Sequence, residues 1–71
     1  MSSYAVVIEH AEGNLSAYVP DLPGCVGTGR SLDEVQANIT AAIQRHVASL
    51  RAHREAVPPP SSTTSLVEVA V

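Results

Sequence analysis

Two rhythms of apolar residues run along this chain, one of period two and one of three and four. In Tyr4-Ala5-Val6-Val7-Ile8-Glu9, Tyr4, Val6 and Ile8 alternate with Ala5, Val7 and Glu9. Strand side chains point to opposite faces in turn, so this run predicts a strand with both faces partly apolar. One face is expected to carry a helix and the other to be partly covered by a neighbouring subunit or a partner. Ala11-Glu12-Gly13-Asn14 has the glycine and asparagine of a hairpin loop, and Leu15 to Val19 reads as the returning strand. Pro20-Asp21-Leu22-Pro23-Gly24-Cys25 follows as an acidic turn whose two prolines and glycine fix the backbone. Cys25-Val26-Gly27-Thr28 is then a short third strand, its glycine weakening it or admitting another backbone at close range.

At Ser31 the rhythm changes. Ser31 and Glu34 have the spacing of a capping box, and Asp33 adds negative charge where the helix dipole favours it. Leu32, Val35, Ile39, Ala42, Ile43, Val47 and Leu50 recur at spacings of three and four, which predicts one apolar stripe on a helix running to about His53. Gln44, Arg45 and Arg51 take the opposite face. Arg51, His53 and Arg54 gather at the C-terminal end, where cations meet exposed carbonyls. Pro58-Pro59-Pro60 cannot continue a helix, so 56–64 reads as a semi-rigid connector. Leu66 to Val71 reads as a final strand with Val67, Val69 and Val71 on one face, an edge that needs pairing within the sheet or across a dimer. The predicted fold is α+β: a small antiparallel sheet with one long helix on a face, order β-β-β-α-β, in a single domain over 1–71.

Size sharpens the expectation of partners. A 71-residue chain buries only about 60% of its unfolded surface, so an isolated core is marginal. Cys25 is the only cysteine, no metal-ligand cluster is visible, and the core must be built from Val, Ile, Leu and Ala because Tyr4 and Tyr18 are the only aromatics. Oligomerisation is the remaining common source of stability. Seven acidic residues against four arginines, with no lysine, give a formal charge of −3. That balance disfavours direct nucleic-acid binding, which needs a cationic stripe, and favours a basic protein partner. Neither a leader nor an apolar run of membrane-spanning length is seen, so a soluble cytoplasmic protein is expected.

Candidate chemistry is sparse. Asp21, in the rigid turn, is expected to shape that turn through a local backbone N–H and to offer a pre-organised contact. Glu9, Asp21 and Glu68 are the carboxylates a metal-dependent nuclease would recruit, but spacing alone does not show convergence, and no lysine stands by to hold phosphate. Cys25 with His10 or His46 is the thiol–imidazole alternative, against which a short strand cysteine reads as simply buried. His46 falls inside the apolar stripe between Ile39 and Leu50, at the edge of the core or in an interface. Gly24, Gly27 and Gly29 lack the spacing and the lysine of a phosphate loop. No catalytic residue, metal or cofactor is expected.

Tyr4 to Glu9, Leu15 to Pro20, Asp21-Leu22-Pro23-Gly24-Cys25 and Ser31-Leu32-Asp33-Glu34-Val35 before a long amphipathic helix together resemble the HicB-like antitoxin family. The resemblance implies a partial ribonuclease-H-like sheet and helix without the full carboxylate set. It also implies an inhibitor that covers the catalytic surface of a small, basic, HicA-like toxin cleaving messenger RNA. Family members commonly add a C-terminal DNA-binding domain; this chain stops at Val71, which places operator binding in doubt and allows an orphan, self-assembling regulatory oligomer as the alternative. No contact residues carry over from the family. Turn rigidity and exposure select Asp21, Leu22, Pro23 and Cys25 for the partner, and the last strand selects Val67, Val69 and Val71, with His46, for a homodimer or higher oligomer.

Overall fold

A computed structural model of the protein describes residues 2–71. Three strands, β1 (Val7–Ala11), β2 (Asn14–Tyr18) and β3 (Val26–Gly29), precede one helix, α1 (Leu32–Ala52). The sheet is antiparallel throughout, in the order β1-β2-β3. Glu12 and Gly13 alone join β1 to β2, where Ala11 pairs with Asn14, so the hairpin is tighter than the four-residue loop expected from the sequence. The fold is α+β as predicted, with three strands among the described residues instead of four. Leu66 to Val71 is not a strand: it runs exposed, and nothing among the described residues pairs with it.

Strand alternation fixes the faces. Leu15, Ala17 and Val19 point inward and are buried, and Ile8 shares their face because it pairs with Ala17. Tyr4, Val6 and Ile8, which alternation puts on one face, pack against the core, so theirs is the face that meets the helix. From the other side α1 contributes Val35 and Ile39, both essentially enclosed, with Ala42 and Ile43 beside them. Leu32, expected on this stripe, is exposed at the first residue of the helix, and the buried stripe begins at Val35. The helix lies over β3 and β2 and stands off β1. It approaches β3 closely because that strand offers glycine: a Cβ on Gly27 would lie 3.3 Å from Ile39 N, and one on Gly29 would lie 2.5 Å from Val35 N. Of the two roles open to Gly27, the structure assigns close approach.

Both helix ends are satisfied locally. Ser31 Oγ accepts from Glu34 N at 3.1 Å, and Glu34 Oε1 accepts in return from Arg30 N at 3.0 Å, one residue earlier than the usual reciprocal bond. At the other end His53 is the cap and Arg54 turns left-handed, with φ of 56°. Arg54 N then donates to Arg51 O and Glu55 N to Leu50 O, the double bond pattern that usually recruits glycine. Of the three expected cations, His53 binds a late carbonyl through its ring: Nδ1 lies 2.8 Å from Ser49 O.

Candidate functional site

The acidic turn is two successive β-turns sharing Leu22. Leu22 N donates to Val19 O at 3.1 Å and Cys25 N to Leu22 O at 3.0 Å, so Pro20 and Pro23 each occupy the second position, where a fixed φ suits the turn. Gly24 follows Pro23 with φ of 84°, the left-handed geometry that the third position of a type II turn requires. Val19 N donating to Cys25 O closes the base. This geometry drives Leu22 inward, to 0% exposure, and leaves Pro20, Pro23 and Gly24 outside. Among the four residues selected for the partner, Leu22 and Cys25 therefore lie in the core, Pro23 is exposed, and Asp21 is half-buried.

Asp21 does not cap its own turn. Its carboxylate accepts four hydrogen bonds from residues forty positions downstream: Ser61 N at 2.8 Å and Ser62 N at 2.9 Å on Oδ2, and the Ser61 and Ser62 hydroxyls at 2.9 and 2.8 Å on Oδ1. These bonds, the Ser61 N–H foremost, lower its pKa from 3.8 to about 2. With Tyr4 Oη donating to Pro58 O, they tether the connector at two points. Because the folded pKa is depressed, the tether is fully present above the ordinary value and is lost as pH falls through the folded one. The Ser61 and Ser62 amide NMR signals should therefore hold their positions from neutral pH past 3.8 and move only as pH approaches 2. In Asp21→Asn they should be displaced at every pH. Movement centred at 3.8 would mean that the clasp does not form in solution.

A second feature comes from register. Val7 pairs with Tyr18, and Tyr18 with Val26, so the three form one row across the outer face of the sheet, the face without a helix. Tyr18 is 41% exposed and Val26 64%, next to the turn. Alternation in the sequence placed Val7 on this second face, but the row needs the pairing register, which only the folded sheet supplies. Burial pushes the Cys25 thiol up, with the Arg45 charge opposing in part, which disfavours the reactive thiolate. No three His, Cys, Asp or Glu side chains come together to hold a metal among the described residues, so Glu9, Asp21 and Glu68 do not converge. His46 is half-buried on α1. No helix among the described residues is long and apolar enough to cross a membrane.

What an exposed apolar row beside a rigid, acidic turn offers is contact area and shape, with no catalytic group beside it among the described residues. The chain belongs to the HicB-like antitoxin family: the family described as HicB_like antitoxin of bacterial toxin-antitoxin system matches residues 4–70. The chain is similar to a UPF0150 protein of Thermoplasma acidophilum, at 39% identity over 78% of this chain and 81% of the relative. A UPF0150 protein of Helicobacter pylori is 44% identical over 65% of this chain and 64% of its own, and one of Synechocystis is 37% identical over 79% and 72%. No solved structure matches. Membership gives the chain an antitoxin role in a toxin–antitoxin system and argues against an enzyme.

Proposed function

We propose that this chain neutralises a small, basic, HicA-like toxin that cleaves messenger RNA, by laying the outer sheet face and the acidic turn over the toxin's active surface. The observation that carries the reading is the family match over residues 4–70. The outer sheet face supports this reading: the Val7–Tyr18–Val26 row offers apolar contact, and the turn that carries Asp21 and Pro23, held by Leu22 and Cys25 beneath, adjoins it. A net charge of −3 complements a basic partner and speeds encounter. Three antiparallel strands followed by a helix support reading the fold as a partial ribonuclease-H-like one. The complex forms in the cytoplasm, where the toxin's substrate is, and needs no direct nucleic-acid contact by this chain.

Pull-down of the tagged full chain from its native cells, with mass spectrometry, is expected to recover a small basic protein whose RNase activity the chain suppresses. Tyr18→Ala should weaken that complex by more than about tenfold, since aromatic anchors dominate interfaces. Unchanged affinity would remove the outer face from the interface. Recovery of the chain alone, at oligomeric mass, would favour the regulatory oligomer instead, a reading that the exposed Leu66–Val71 segment supports.

A further inference from the structure

A single copy of this chain exposes too much surface for its mass. Its accessible area is 5585 Å² at 7.4 kDa, where a compact monomer of that mass would expose about 4,200 Å². Its radius of gyration is 13.7 Å, against roughly 11 Å for a compact 71-residue globule. The excess, on the order of 1,400 Å², exceeds the roughly 800 Å² that each partner contributes to a standard stable interface.

Two features account for the excess, and they are complementary. The first is the arm: Leu66, Val67, Val69 and Val71 are each 70% exposed or more, and no backbone hydrogen bond joins this segment to the rest among the described residues. The second is an unfinished flank. Because α1 stands off β1, an open groove of about 390 Å³ lies between the helix and the segment leading into β1, lined by Tyr4, Val6, Ile8 and Ile43 with polar Gln36 and Thr40 on the helix side. β1 is also an edge strand, with β2 on one side only. The other edge strand, β3, is shorter, and the Asn38 amide already occupies its Thr28 carbonyl at 2.7 Å. The arm does not hang freely from its root, since Asp21 holds Ser61 and Ser62, and Thr64 to Leu66 then pass beside Val6 to Ile8.

We infer that Leu66–Val71 is an exchange arm, which adds as a fourth strand to β1 of a second copy of this chain while that copy's arm does the same in return. Six extended residues span about 20 Å and the five of β1 about 17 Å, so the lengths match. Val67, Val69 and Val71 share one face and meet the Tyr4, Val6, Ile8 and Ile43 flank. Glu68, on the other face, stays in water. The exchange is isologous and closes on itself, which removes both exposed β1 edges at once. His46 does not line this groove and is outside the exchange.

Light scattering after size exclusion tests this on the full chain. The expected particle is twice 7.4 kDa or an even multiple of it. The pair Val67→Asp and Val69→Asp together should return it to the monomer with its helical circular dichroism unchanged. Val26→Asp, which adds the same charge to the outer sheet face, should leave the mass as it is. Backbone amides of Val67 and Val69 should also resist hydrogen exchange in the wild-type particle, which checks pairing without any substitution. A monomeric wild type, an arm variant of unchanged mass, or fast exchange along the arm would each overturn the exchange. Protected arm amides in a monomer would mean that the arm closes on its own β1. None of these readouts involves a toxin, so the exchange and the antitoxin reading fail separately.

Discussion

Gly29→Ala is expected to remove about 3 kcal/mol of stability and to lower the melting temperature by roughly 15 °C at matched protein concentration. The added Cβ would sit 2.5 Å from Val35 N, 2.8 Å from Val35 Cα and 3.0 Å from Glu34 C. All three atoms are backbone, so no rotamer change relieves the contact. The first turn of α1 has to lift from β3, and Val35 and Ile39, the two buried residues of the helix, lift with it. A domain of this length holds about 4–10 kcal/mol in total, which makes the loss a large share. Gly27→Ala serves as the internal comparison, because its Cβ would meet Ile39 N at 3.3 Å and requires a shift of only a few tenths of an ångström. Thermal melts of the two variants side by side are the measurement. A Gly29→Ala protein melting within a few degrees of wild type would mean that α1 does not sit this close to β3.

Leu22→Ala carries the second large effect, about 2–5 kcal/mol, from deleted apolar contact plus the cavity left behind. Leu22 is fully enclosed and is the shared corner of both turns, giving its N–H to Val19 and its carbonyl to Cys25. The prolines and Gly24 keep the local bends, so the cavity is only partly closed by collapse. Removing the side chain therefore unseats the turn from the core, and Asp21 with it. Denaturant unfolding should report the loss of stability, and the Ser61 and Ser62 amide signals should report a weakened clasp in the same variant. Stability lost with those signals unmoved would show that the turn keeps its place without its apolar anchor.

Where the interactions are short in sequence, residue types alone were enough. Ser31 and Glu34 are three apart and placed the helix start, and the hairpin between β1 and β2 came within two residues of its observed limits. Breakdown came where a partner lies far away in the chain. Asp21 reads as a local turn cap, yet its four donors belong to Ser61 and Ser62, and no pattern around either end announces the other. Arg54 ends the helix in a left-handed conformation that composition assigns to glycine, so its role was legible only as a charge.

Residue order alone was enough for the class of fold, the helix and its cap, the grouping of Tyr4, Val6 and Ile8 on one face and the family resemblance, because each rests on spacing within a few residues. Folding sets which surfaces meet. It turned Leu22 and Cys25 inward, aligned Val7, Tyr18 and Val26 into one row by register, and brought α1 onto the glycines of β3 while leaving β1 open. It also left Leu66–Val71, a strand by its residue pattern, without a backbone partner among the described residues. Side-chain alternation encodes a strand's two faces, but a strand exists only where another backbone offers its hydrogen bonds, and that is a property of the assembled molecule.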